Sequence, residues 1–426
     1  MKIYSKLIIP LFLGAFTVLS CEAVVTDVST RDSITPSTIL ASHNKSKITP
    51  KQLVAEALQI VEENYVDGSF NGLNWQQVKT ATLSRPYATS EEAYKAIKSV
   101  LNLLENPATR FLTPEQFTAF SGENSGKSHI GVGLLEVLSF DYDERERIRI
   151  ITPLPDTTAA EVGLQTGDLL TAIDGVSTNN LGLAEAAMKL RGAEGTMVNL
   201  TLTRDGSNFD VKLKREKIQL ENTVRTQLID LDDTQIGYIY LGQFLDSSVP
   251  EMRDAVNDLQ EASALILDLR NNPGGSVLAT VEIARFFLGE AKVGTAATRI
   301  DLPPLNSTQM QLTEQPLVVL VNRGTASAAE LLAGSLQDNR RAIIVGTPTI
   351  GKGLIHSPQP LADNSGIIIT IGKLFTPNGR DILISGIEPD ILSDAIASPL
   401  LDPQIEPASS QDIQYLEAVE QLKRMN

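Results

Sequence analysis

The segment NRGTASAAELLAGSLQDNRRAIIVGTPTIGKGLIH, Asn322 to His356, holds a serine in a Gly-Thr-Ala-Ser turn and a lysine between two glycines. Ser327 follows the apolar run PLVVLVN and opens the helical pattern SAAELLAGSLQD. A serine at that junction exposes its hydroxyl among the unpaired N–H groups of a helix start. The same position suits a plain N-cap, because Ser is a favoured capping residue. Lys352 precedes the apolar strand-like stretch GLIHSP. A lysine in an apolar setting loses its proton more readily and can act as a general base, whereas the default for Lys is a solvated surface. Ser–Lys pairs are a known variant of the catalytic triad. His356 lies four residues beyond Lys352, a spacing that returns to the same face of a strand. Of the three histidines, His43, His129 and His356, only the last lies in this α/β stretch. A Ser–His arrangement therefore competes with Ser–Lys, and the lysine is preferred.

A second loop offers what such a nucleophile needs. LDLRNNPGGSV ends an apolar run with Gly274 and Gly275 and then begins a helical pattern. Successive glycines let the backbone approach a ligand and present N–H groups to it. Together with the N–H beside Ser327, such a loop could hold an oxyanion, although Pro-Gly-Gly is also an ordinary turn.

The surrounding elements divide the chain. TPKQLVAEALQIVEENYV puts Leu53, Ala57, Ile60 and Val61 on one helical face, with Thr49 as N-cap and Pro50 at the first helical position. TSEEAYKAIKSVLNLLE and TPEQFTAFSG start further helices, giving a helical region over 48–125. From 126 to 217 the period becomes alternating: IGVGLLEVL, RIRIITPL, DLLTAIDGV, VNLTLTRDG and DVKLKREKI read as strands, interrupted by the helix NLGLAEAAMKLRG. From 218 to 398 buried strands such as ALILDLR and PLVVLVN alternate with amphipathic helices, an α/β pattern. Residues 399–426 end in a helical tail.

Taken together, ATRFLTPEQF, IGVGL, TTAAEVGLQTGDLLTAIDGV, LRGAEGTMVNLTLTR, LILDLRNNPGG, the Ser327 segment, GKG and PNGRDILISGIEPDI resemble the C-terminal processing proteases, serine peptidases with an embedded PDZ domain. The resemblance spans about residues 50–426. It implies an α+β multidomain fold: a helical N-terminal region, an inserted PDZ β-domain, and an α/β core of crotonase/Clp-protease-like type. It also implies Ser327 as nucleophile, Lys352 as general base, and an oxyanion hole of the Ala328 N–H with that of Gly274 or Gly275. The family typically has Gln where this chain has His356, whose neutral imidazole can accept a hydrogen bond from Lys352 and would bring an acid limb near pH ~6.5. Gly131, Val132, Gly133 and Leu134 match the loop that binds a peptide carboxylate. Arg191 matches an arginine that couples the PDZ domain to the protease. The implied partners are proteins cut near their C-termini, with neither metal nor organic cofactor; a silent scaffold that captures C-termini is the alternative.

The formal charge of −16 argues against nucleic acid or anionic membrane as a partner. The single cysteine excludes an intrachain disulfide and a Cys-based zinc site. Residues 1–23, with Lys2 and Lys6 before an apolar stretch, read as an export signal, too short to span a membrane. Cys21 resembles a bacterial lipoprotein box, with cleavage after Ala23 as the other reading. Residues 24–47 are Ser/Thr-rich and aperiodic, a linker. Export places the chain in a periplasm or thylakoid lumen, or anchored outside the cytoplasm.

Overall fold

A computed structural model describes residues 48–425, apart from 125–128, 135–139, 143–146, 155, 180, 219–222, 232–233, 301, 303, 309 and 394–404. The expected export signal, Cys21 and the expected linker therefore lie outside the described residues, as do parts of the IGVGLLEVL segment and of the tail. Among the described residues no helix is long and apolar enough to cross a membrane.

The largest sheet has six strands in the order Val224–Leu231, Thr234–Leu241, Ala264–Asp268, Leu317–Val321, Ile343–Gly346 and Ile391–Leu392. The first pair is antiparallel and the rest run parallel. Every residue of Ala264–Asp268 and Leu317–Val321 is buried, as expected of central parallel strands covered on both faces. Leu265, Leu267, Val319 and Val321 meet the helices Ser248–Asp258, Val277–Leu288 and Ala328–Asp338. Their neighbours Ile266, Val318 and Leu320 face Tyr415, Ala418, Val419 and Leu422 of the helix Ile413–Met425. The strand period of two thus sorts one apolar run onto two helical layers.

The N-terminal helices cover a second sheet. Pro50–Asn64 begins as the sequence predicts, with Thr49 capping, Gln52 closing the capping box and Pro50 in the first turn. Its apolar stripe is broader than predicted, since Val54 and Leu58 join Leu53, Ala57 and Val61 while Ile60 is only half-buried. Pro50–Asn64 and Ser90–Asn102 pack on Ile367, Ile369 and Ile371 of the strand Gly366–Phe375. That strand pairs with Leu354–Pro360, with Arg110–Leu112 over its start, and with Thr295–Thr298 over its end.

The small β-module has its own core, in which Leu183, Ala186 and Leu190 of the helix Leu183–Leu190 pack on Leu170, Val198, Leu200 and Leu213. Its entry strand His129–Gly131 pairs antiparallel with its exit strand Glu216–Ile218, so the two connections to the rest of the chain lie side by side.

Candidate active site

The strands Ala264–Asp268 and Leu317–Val321 are parallel neighbours, so their carboxyl ends open on the same edge of the sheet. In open α/β sheets that edge is where ligands bind. The loops leaving the two strands are laced together there. Asn271 N–H donates to Asn322 Oδ1 at 3.0 Å and Asn322 Nδ2 donates back to Asn271 Oδ1 at 3.2 Å. Ala326 N–H reaches the Asn272 carbonyl at 2.9 Å, and the Thr325 hydroxyl reaches the Leu269 carbonyl at 2.8 Å. The glycine loop and the serine turn therefore form one rigid unit.

Ser327 occupies φ 55°, ψ −117°, a conformation that only strain-tolerant sites keep in a non-glycine residue. It is the geometry of a strand-to-helix elbow that thrusts the hydroxyl outward. The hydroxyl makes no capping hydrogen bond, which removes the plain N-cap reading. Helix entry is managed instead by Glu330, three residues on. Its buried carboxylate accepts from Ser327 N–H at 2.7 Å, Gly351 N–H at 2.7 Å, Lys352 N–H at 2.8 Å and the Thr349 hydroxyl. Burial pushes the Glu330 carboxyl up from its ordinary range, against the opposing pull of these four donors. One side chain thus fixes the serine turn and the lysine loop relative to each other. Sequence reasoning missed it, although Ser-x-x-Glu at Ser327–Glu330 is the capping-box spacing and was there to be read.

Ser327, Lys352, His356 and Gly275 line one cavity of about 500 Å³, walled by apolar side chains that include Phe120 and Leu278. The structure also separates the two glycines. Gly274 N–H is spent on Asn272 Oδ1 at 2.8 Å, so Gly274 leaves the predicted oxyanion set. Its part is steric: at φ +95° it lies so close that a Cβ would stand 2.8 Å from Ser327 Cβ and 2.9 Å from Ala328 N. Gly275 is exposed, and neither its N–H nor that of Ala328 has a partner among the described residues.

His356 and Lys352 share the cavity as the spacing predicts, but the pH expectation is overturned. Burial, then the charges of Lys352 and Arg110, push the His356 pKa down to about 3. The ring is neutral throughout the ordinary working range and supplies no limb near 6.5. Its Nδ1 lies 3.2 Å from the Thr370 hydroxyl, its cross-strand neighbour.

Behind the glycine loop, Arg270 is buried and donates from Nη1 and Nη2 to the two Asp412 carboxylate oxygens, each at 2.8 Å. It also pairs with Asp268, whose carboxylate accepts from the Tyr238 hydroxyl at 2.6 Å.

In the module, the Val132 and Gly133 carbonyls accept from Ala159 N–H at 3.0 Å and Leu154 N–H at 2.9 Å. This folds Gly131 to Leu134 into a loop in which the N–H groups of Val132, Gly133 and Leu134 have no partner among the described residues. Arg191 donates from Nη2 to the Ala119 carbonyl at 3.3 Å, tying the module to the helix Pro114–Asn124 that also supplies Phe120 to the cavity. Among the described residues no cluster of His, Cys, Asp and Glu is placed to hold a metal.

Residues 235–393 match peptidase family S41, and residues 149–204 match a PDZ domain. The carboxyl-terminal-processing protease of Picosynechococcus sp. is 39% identical over 379 residues, covering 87% of this chain and 89% of that protein. The chain belongs to peptidase family S41. A second relative, the chloroplastic carboxyl-terminal-processing peptidase 2 of Arabidopsis thaliana, is 35% identical over 351 residues, covering 79% of this chain and 68% of that one. A solved structure of the photosystem II D1 C-terminal processing protease superposes with a TM-score of 0.76 at 31% identity, covering 84% of this chain and 96% of that one. This S41 member is thus a serine peptidase with an α+β fold that carries a PDZ domain.

Proposed function

We propose that this chain is an exported endopeptidase that cuts proteins near their C-termini, with Ser327 as nucleophile and Lys352 as general base. The observation that carries the proposal is the convergence, on one cavity, of a strained serine, a lysine and Gly275, whose N–H, like that of Ala328 next to Ser327 in the chain, has no partner among the described residues. Lys352, neutral before reaction, takes the proton of the Ser327 hydroxyl as Oγ attacks the scissile carbonyl. The carbonyl oxygen becomes an oxyanion held by the Ala328 and Gly275 N–H groups. The Lys352 ammonium returns the proton to the leaving amine, and water then releases the acyl group by the same path. Apolar walls suit a substrate segment with apolar side chains at the cut. The divisions at 126–217 and 218–398 then separate a selector from a catalyst, with Arg191 joining them and the Gly131–Leu134 loop taking the substrate's carboxylate. The cyanobacterial and chloroplastic relatives support a periplasm or thylakoid lumen as its place.

The test is digestion of a tagged protein by the purified chain. Ser327→Ala and Lys352→Ala should each abolish turnover with folding intact, and together they should cost no more than one alone. Full activity in either variant overturns the dyad. A wild-type chain that binds C-terminal peptides without cutting is a scaffold instead. Peptide amides should bind full-length Ser327→Ala more weakly than the matching acids; equal affinity removes carboxylate capture from the proposal.

A further inference from the structure

Behind His356 runs a chain of hydrogen bonds whose proton positions can be counted, ending where Asn106 Nδ2 also donates to the Tyr65 hydroxyl at 3.3 Å. The Thr370 hydroxyl is buried and has three neighbours: His356 Nδ1 at 3.2 Å, the Thr109 hydroxyl at 3.1 Å and Asn106 Nδ2 at 3.2 Å. A hydroxyl has one proton and two lone pairs. The Asn106 amide is fixed in orientation, because its Oδ1 accepts from Ala108 N–H at 3.2 Å, and a backbone N–H can only donate. Nδ2 therefore donates to Thr370. Thr109 Oγ1 accepts from Thr370 N–H at 3.0 Å, and its own proton has one acceptor among the described residues, Thr370 Oγ1. Leaving that buried proton unpaired would carry the desolvation penalty of an unsatisfied hydroxyl. Both lone pairs of Thr370 are then filled, and its proton is left for His356 Nδ1.

We infer that His356 is held as the tautomer protonated on Nε2, and that Asn106 and Thr109 of the N-terminal region thereby set the charge state of Lys352. The inference rests on Lys352 being the base. With Nδ1 turned onto Thr370, Nε2–H is the end of the ring left for the cavity that Lys352 shares. A donor facing an amine disfavours its ammonium form. It cannot play the part of a Gln carbonyl, which accepts from the ammonium and stabilises it. Lys352 is therefore kept neutral, as a base must be. Burial is the first cause that resists a second proton on the ring, and with Lys352 neutral it is Arg110 that remains as the charge acting in the same direction, in keeping with the depressed pKa. The three Thr and Asn partners are uncharged, so the proton arrangement does not change across the working range. His356, Thr370, Thr109 and Asn106 are in this sense positioning residues.

Two-bond 15N–1H correlation spectra of histidine-labelled protein read the tautomer directly. The chain has three histidines, so His356 is assigned by its loss in His356→Gln. At neutral pH its Nδ1 should be pyridine-like and its Nε2 pyrrole-like. Thr370→Val removes the donor to Nδ1, and Thr109→Val frees a lone pair on Thr370; either permits the other tautomer. Nε2 then accepts from the ammonium, and the limb on which kcat/KM rises with pH should move up by about one unit, roughly tenfold in rate below it. Thr370→Ser, which keeps the hydroxyl, should match wild type in spectrum and profile. A pyrrole-like Nδ1 in wild type overturns the inference, whether or not Thr370→Val folds. So does an unmoved limb in Thr109→Val. Activity surviving in Lys352→Ala would instead sink the dyad and leave the tautomer spectrum standing.

Discussion

Two buried carboxylate centres flank the active site, and they are built in opposite ways. Around Glu330 every partner is a neutral donor: three backbone N–H groups and a threonine hydroxyl. Around Asp268 and Asp412 the principal partner is a cation, the Arg270 guanidinium, with the Tyr238 hydroxyl assisting. The first centre joins the two loops that carry Ser327 and Lys352. The second joins the end of a central strand to the segment preceding the Ile413–Met425 helix. Near the chemistry, a cation would act on the protonation of Lys352, and a ring of dipoles fixes geometry without adding a mobile charge. Farther back, where only docking is needed, an ion pair gives directional contacts over a long sequence separation. One centre is therefore expected to govern rate and the other stability.

The largest effect should follow Arg270→Met, which strands two buried carboxylates. Breaking a buried pair costs about 3–5 kcal/mol, so the urea midpoint should fall steeply. Adding Asp412→Asn should recover part of the loss. A midpoint within experimental scatter of wild type would show that the cluster is not a stability centre. Glu330→Gln should act the other way round. Whichever way its amide turns, the N–H₂ faces at least one backbone N–H, which only donates, so the serine and lysine loops shift apart. A displacement of this kind costs about a hundredfold in kcat/KM, with a smaller change in the urea midpoint. A rate within threefold of wild type would dissolve the contrast between the two centres.

A gentler test uses pH. The unfolded imidazole takes up its proton near ~6.5, while folded His356 resists protonation down to about 3. The unfolded state binds more protons in that window, so stability contributed by the neutral ring is present above it and lost as pH falls through it. Wild type should therefore lose stability faster between pH 7 and 4 than His356→Gln, as measured by urea midpoints. Parallel slopes would mean that the ring is solvated. The smallest effect belongs to Asp156→Ala, which breaks the exposed Asp156–Arg225 pair between module and core. Surface pairs contribute about 0–1 kcal/mol, so melting should shift barely at all. A large shift would make the contact a third centre.

Much of this arrangement was legible in the residues. The Ser turn, the glycine-flanked Lys and the paired-glycine loop each have a local signature, and local signatures survive without coordinates. Thr49, Pro50 and the helix starts were readable for the same reason. What stayed hidden depends on pairing over distance. Asp412 meets Arg270 across 142 positions, and no pattern in either segment announces the other. Thr370 faces His356 through a register that slips between Ile355 and His356, so counting residues along the strands would have misaligned them. Choosing Gly275 over Gly274 needed the side chain of Asn272, which takes one N–H and leaves the other. Glu330 was visible in the Ser-x-x-Glu spacing but was given no role, because that spacing alone says nothing of the lysine loop it also holds.

The pairing of His129–Gly131 with Glu216–Ile218 reaches beyond this one enzyme. A module whose two ends are neighbouring strands is a cassette. Everything between Gly131 and Glu216 can be cut out and the ribbon closed by a two-residue turn, with the path of the core chain unchanged. The same ribbon can accept any other domain whose termini lie a strand's width apart. The module and the α/β core are thus separable parts, and exchanging the first is a matter of grafting at two adjacent points.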